Sequence, residues 1–123
     1  MTGPKTIASH TAPVLNDAAE AAGRPKPQIV AGIPVCVTND VNKGLEMAAE
    51  AYAIYGTLPS YQAMIEREGV EGPAGIAIVG DADTVTERLN GLAEAGATSI
   101  AASEFGTPDD LAATRQLLIS LAN

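Results

Sequence analysis

Few side chains in this 123-residue sequence are of types that do chemistry on their own, and their spacing narrows the choice further. His10 is the only histidine and Cys36 the only cysteine, so no internal disulfide and no His/Cys zinc spacing exists. Cys36 stands in an apolar stretch without a basic neighbour, where a thiol acts as a small core residue rather than a nucleophile. Ser60 and Ser103 lack a Gly-x-Ser-x-Gly frame, and His10 sits in a helical pattern, so no catalytic triad is supported. Gly75 and Gly80 have the separation of a phosphate-binding loop, but Asp81 stands where lysine is required. Glu66 and Glu68, like Asp81 and Asp83, are two residues apart, which places them on different helix faces and reads as solvated surface. The most unusual stretch is YAIYGTLPSY at residues 52–61, which gathers all three tyrosines around a helix break. A tyrosine has an apolar body and a polar tip, so such a cluster can line a pocket or an interface. The plainer alternative has Tyr52 and Tyr55 packing beneath the loop while Ser60 caps a helix.

These residues must be carried by a small set of elements. Residues 5–22 have helical spacing, with Ile7, Val14, Leu15, Ala18, Ala19 and Ala22 along one face. Pro13 predicts either a kink or a helix start near Thr11, and Gly23 with Pro25 and Pro27 ends the segment. Residues 28–38 are almost wholly apolar, as in a strand covered on both faces, with Pro34 predicting a bulge or break near Gly32. Helices are expected at 40–55, with Asn39 or Asp40 as cap, and at 60–68. Residues 76–79 form a short extended segment. A capping box from Thr84 to Glu87 opens a helix over 84–95, followed by a strand at 98–103 and a helix at 107–121.

Composition bounds the function classes. Seven basic residues against fifteen acidic give a net charge of −8, which disfavours a polyanionic partner such as nucleic acid. Four aromatic residues and no tryptophan leave little to stack on bases. No apolar run approaches the roughly 20 residues of a membrane span, and no signal-peptide core is present. A cytoplasmic protein with no membrane, nucleic-acid or metal partner is expected.

Alternating strands and helices predict a right-handed parallel α/β arrangement. Two parallel strands, or three, cannot protect both faces and both edges of a sheet, yet these strands are as apolar as central ones. The pattern therefore reads as the last part of a larger α/β protein.

Three stretches bear a family resemblance: GPKTIASHTAPVLNDAAEAAGRPKPQIVAGIPVCVTND, YAIYGTLPSYQAMIEREGVEGPAGIAIVGD and LNGLAEAGATSIAA. Together they resemble the C-terminal part of luciferase-like monooxygenases, most of all the branch that uses the deazaflavin coenzyme F420. The most distinctive pieces are AAGRP at 21–25, LPSY at 58–61 and VGD at 79–81. The resemblance implies a (β/α)8 barrel of the TIM type, which typically needs about 250 residues. Residues 28–38 would be its seventh strand and 98–103 its eighth. It further implies hydride transfer between a small organic substrate and coenzyme F420, or oxygenation through FMN, with the cofactor at the C-terminal ends of the strands. Most cofactor-contacting residues of this family come from earlier strands, so no catalytic or cofactor-binding residue carries over.

What remains near an active site is the rim after each strand: Thr38 and Asn39, Ser103 and Glu104, and Tyr55, Ser60 and Tyr61 at the helix break. Acids at Asp40, Asp109 and Asp110 predict that these turns form no phosphate cup. Two further readings stand beside the oxidoreductase fragment. One is a non-catalytic module that completes a barrel with another chain, through self-association or a missing N-terminal half. The other is a self-contained small α/β binding domain.

Overall fold

The computed structural model describes residues 1–123. Its centre is a three-stranded, all-parallel sheet of β1 (Val30–Val37), β2 (Ile78–Gly80) and β3 (Ser99–Glu104), in the order β2-β1-β3. The six α-helical segments are α1 (Pro4–Thr6), α2 (Ala12–Ala21), α3 (Val41–Ala51), α4 (Pro59–Glu68), α5 (Ala82–Ala95) and α6 (Pro108–Ala122). The two strands expected from sequence, within 28–38 and 98–103, lie side by side, with Val30 opposite Ser99 and Val35 opposite Glu104. The short segment near 76–79 becomes the third strand, pairing Val35–Val37 with Ile78–Gly80.

Pro34 does not break β1, and backbone direction explains why. The carbonyls of Ile29 and Val35 accept from the N–H groups of Ser99 and Phe105, so odd-numbered residues of β1 bond towards β3. Gly32 and Thr38 bond the other way, to Thr2 and Gly80. Pro34 belongs to this second set, and β2 begins pairing only at Val35. The missing N–H therefore faces a flank where the ladder has not yet started, and costs no sheet hydrogen bond.

The helical start of the chain resolves the two options for Pro13. A π-helical turn over Ile7–Thr11 joins α1 to α2, and Pro13 falls in the first turn of α2, where its N–H is not needed. Of the expected apolar face only Ile7 reaches the core, joined there by Ala12 from outside that stripe. Val14 is 54% exposed and Leu15 is 40% exposed, so most of that stripe has no partner within the chain.

The strands' alternation sorts the core into two faces. Ala31, Ile33 and Val35 of β1, with Ile78 of β2, pack under Val85, Leu89 and Leu92 of α5, Ile7, and Met64 and Ile65 of α4. Cys36 and Val79 point to the opposite face and meet Ala48 of α3 and Tyr52 just after it, together with Ala77 and Phe105. Gly44 makes that second contact close: a Cβ there would lie 2.7 Å from Val79 Cγ1. This second face is covered only at the C-terminal end of the strands. Further down, Val30 is 58% exposed, and Ser99, Ala101 and Ser103 are exposed beside it.

β1 runs past the end of β3, and a side chain completes the ladder there. The fully buried Thr114 hydroxyl of α6 accepts from the Val37 N–H at 2.8 Å and donates to the Asp110 carbonyl at 2.7 Å. Thr114→Val keeps the shape and removes both bonds, so it is expected to cost about 1–2 kcal/mol, read as a lower urea midpoint at unchanged slope. Thr114→Ser is expected to retain most of that stability.

Helix starts differ from the capping expectation at α5, and again at α4. α5 begins at Ala82, capped by Asp81, whose carboxylate accepts from the Thr84 N–H at 2.8 Å. The reciprocal capping box forms instead at α6, between Thr107 and Asp110. No helix is long and apolar enough to cross a membrane.

Candidate functional site at the strand C-terminal ends

Each strand ends in a turn that leads straight into a helix, and the three turns share one end of the sheet. After β1, the Thr38 N–H donates to the Gly80 carbonyl at 2.9 Å, and the Thr38 hydroxyl accepts from the Asp40 N–H at 3.1 Å. Asp40 caps α3 by accepting from the Lys43 N–H at 3.1 Å. After β2, Asp81 caps α5. After β3, the Thr107 hydroxyl accepts from the Asp110 N–H at 3.2 Å, while the Asp110 carboxylate accepts from the Thr107 N–H at 3.0 Å.

All three helix N-termini are thereby closed by side chains of this chain. Hydrogen bonds from Thr84 hold the Asp81 carboxyl below its ordinary range. For Asp110, partial burial pushes upward, but hydrogen bonds from Thr107 and Thr38 and the charge of Lys43 outweigh it and lower the value. Both caps therefore stay ionised at neutral pH. Cys36 lies beside this turn, and its thiol is pushed up to about 11 by burial and by the Asp110 charge, so it is a neutral packing group.

The aromatic residues form one continuous line at the same end. Phe105, the residue after β3, meets Tyr52 edge-on at a centroid distance of 5.7 Å. Tyr52 lies 6.1 Å from Tyr55, and Tyr55 meets Tyr61 edge-on at 4.8 Å. Burial, then the neighbouring Tyr55, raises the Tyr52 hydroxyl above its ordinary pKa. A 3-10 stretch, Ala53–Thr57, carries Tyr55 between α3 and α4, and Gln62 pins it by donating to the Gly56 carbonyl at 3.1 Å.

The residues singled out from sequence divide by role. Tyr55 and Tyr61 are in contact and half-buried, and they connect through Tyr52 to the end of β3. Thr38 is buried and occupied in its turn. Asn39, Ser60 and Ser103 are exposed. Ser60 does not cap α4: Leu58 holds that position without a side-chain bond, and Pro59 starts the helix. Phe105 was missed from sequence, although it is the only phenylalanine and directly follows a strand, which is the position where barrel rims place ligand-facing residues. One groove, of about 730 Å³, lies between α5 and α6 and is lined by Leu89, Ala93 and Leu118. Nowhere do three His, Cys, Asp or Glu side chains converge on a point that would hold a metal ion.

No family model matches this chain, and no curated protein matches it. A solved structure does match: the coenzyme F420-dependent tetrahydromethanopterin reductase from Methanopyrus kandleri, with a TM-score of 0.70. The likeness covers 95% of this chain and 41% of the reductase chain, at 22% sequence identity. The fold is that of a partial TIM barrel. This partial barrel spans about two fifths of the reductase chain that it matches. At that identity the likeness is one of fold, and it agrees with the parallel pairing of β1 and β3 as neighbouring barrel strands.

Proposed function

We propose that this chain forms the last part of a barrel oxidoreductase of the luciferase-like type, with β1 and β3 as neighbouring strands of the barrel and β2 as a short strand on the other flank of β1. The observation that carries the reading is the half-finished sheet. β1 and β3 pair as successive barrel strands, while the face bearing Val30, Ser99, Ala101 and Ser103 stays open as an unfilled barrel interior. Further strands, from the same polypeptide or another copy, would close it. The likeness to an F420-dependent reductase favours a deazaflavin as hydride carrier, acting on a small organic molecule.

Coenzyme F420 and FMN both carry a phosphate, and the three rim helices do not fit it. Their N-termini are occupied by Asp40, Asp81 and the Thr107–Asp110 box, which add negative charge where an anion would need free N–H groups. The phosphate end of the cofactor therefore belongs to elements outside this chain. What these residues supply is a wall: Tyr52, Tyr55, Tyr61 and Phe105 as an aromatic ledge, with Thr38, Asn39, Ser60 and Ser103 along the rim.

Titrating the full-length protein with coenzyme F420, followed by deazaflavin fluorescence, tests this reading. Saturable binding is expected, with FMN binding at least tenfold more weakly. Tyr55→Phe and Tyr61→Phe keep the edge-on packing and remove the hydroxyls, and each is expected to raise KM for the substrate several-fold. Absence of binding by either cofactor would overturn the reading; unchanged KM in both variants would reduce the tyrosines to packing.

A further inference from the structure

Core packing accounts for three of the four rings at the rim, but not for Tyr55. Tyr52 and Phe105 lie against the cluster of Cys36 and Val79, and Tyr61 lies against the larger core. Tyr55 lies against neither, and its ring partners are Tyr52 and Tyr61. All four rings are half-buried, so each keeps surface that a ligand can reach. Ile54, 66% exposed, and Leu58, 40% exposed, flank Tyr55 and widen the apolar strip.

The rings stand as walls rather than as a stack. Successive centroids from Phe105 to Tyr61 are 5.7, 6.1 and 4.8 Å apart, and their planes meet at 82°, 37° and 66°. In an edge-on pair, the ring that offers its edge keeps both faces free of that partner, and the face is the negative side of a ring. A group resting on this line can lie within about 6 Å of two centroids at once, which is the reach of a cation–π contact.

The charge around the rings has the matching sign. Asp40, Asp81, Asp83, Asp109 and Asp110 stand in the rim turns and the first helical turns after them, against Lys43 alone. The helix N-termini capped by Asp40, Asp81 and Asp110 offset part of that charge. Asp83 and Asp109 are exposed and make no ion pair, since the single ion pair joins Arg115 to Glu104. A bare metal ion would need carboxylates that converge, and none do. Aromatic walls in a diffuse negative field instead suit a bulky, weakly hydrated organic cation.

We propose that this rim recognises an N-methylated ammonium group, with Tyr52, Tyr55, Tyr61 and Phe105 as its walls and the rim carboxylates supplying the field. That the group belongs to the substrate rests on the oxidoreductase reading above. The test is calorimetric titration of the full-length protein with choline and with 3,3-dimethylbutan-1-ol, which has the same shape without the charge. Choline is expected to bind saturably at one site, and the alcohol roughly fivefold more weakly or less. Tyr55→Leu and Phe105→Leu should each weaken choline about fivefold, while Tyr55→Phe, which keeps the ring, should stay within about twofold. Equal binding of the two probes, unchanged choline binding in both leucine variants, or no saturable choline binding would each overturn the proposal. Titrating the same sample with coenzyme F420 separates the two claims. F420 binding without choline binding overturns the ammonium site alone, whereas choline binding without F420 binding upholds that site and overturns the oxidoreductase reading.

Discussion

Glu68→Ala is expected to destabilise the protein by about 3 kcal/mol or more, one of the two largest effects anticipated from a single side chain. Glu68 is the last residue of α4 and is 6% exposed. Its carboxylate reaches the other end of the chain and caps α1 from outside. It accepts from the Thr6 N–H, from the Thr6 hydroxyl at 2.7 Å and from the Lys5 N–H at 3.2 Å. Lys5 Nζ adds a bond to the Glu68 carbonyl at 3.3 Å. Alanine would leave three donors without a partner at a largely buried helix start, each costing on the order of 1 kcal/mol or more. Glu68→Gln keeps one acceptor oxygen and should lose roughly half as much. Gly3 supports the same contact, because a Cβ there would overlap the Glu68 side chain. Gly3→Ala should therefore mimic part of the Glu68→Ala loss. Urea unfolding checks all three; a loss below about 1 kcal/mol for Glu68→Ala would mean that water replaces the carboxylate.

Gly106→Ala is expected to cost about 3 kcal/mol and to disturb the rim at the same time. Two penalties add at this position. Gly106 has φ of +125°, a conformation that side chains rarely adopt. A Cβ there would also stand 2.7 Å from Asp110 Cβ and 3.0 Å from Cys36 Sγ. Relief requires the turn after β3 to move, and that turn carries Phe105, the edge-on partner of Tyr52. Gly72→Ala is the control: its backbone is extended and a Cβ there meets nothing within 4 Å. It should change stability by less than about 0.5 kcal/mol. A Gly106→Ala melt equal to that control would contradict the packing of the turn.

The elements were legible in the sequence because their signals are local. The apolar run of β1, the helical spacing of α3 and α5, and the Thr107–Asp110 cap each act within a few residues. Pro34 misled because its cost depends on which flank its N–H would face, and that is set by where β2 begins. Thr84 and Asp81 are rival caps three residues apart; Asp81 prevails because it keeps an extended backbone at the end of β2. The helical stripe through Val14 and Leu15 was readable, but periodicity says nothing of what covers it. Glu68 was read as surface, although an acid at a helix C-terminus opposes the helix dipole and so hints at a partner elsewhere. At the rim, the tyrosine cluster was visible because its members are close in sequence. Its link to Phe105 runs through the fold, and only the structure brings Tyr52 and Phe105 together.

The central claim is that β3 is an internal barrel strand rather than an edge. Its odd-numbered N–H groups bond to β1, as those of Ser99 and Phe105 do to Ile29 and Val35. Those of Ile100 and Ala102 therefore point away from β1, to a flank where this chain places no strand. Residue-resolved amide hydrogen exchange on the full-length protein compares the two sets directly. Protection of Ile100 and Ala102 as strong as that of Ala101 is the predicted result, since a further strand would pair with them. Fast exchange at Ile100 and Ala102 beside a protected Ala101 would mean that the sheet ends at β3, and would contradict the barrel.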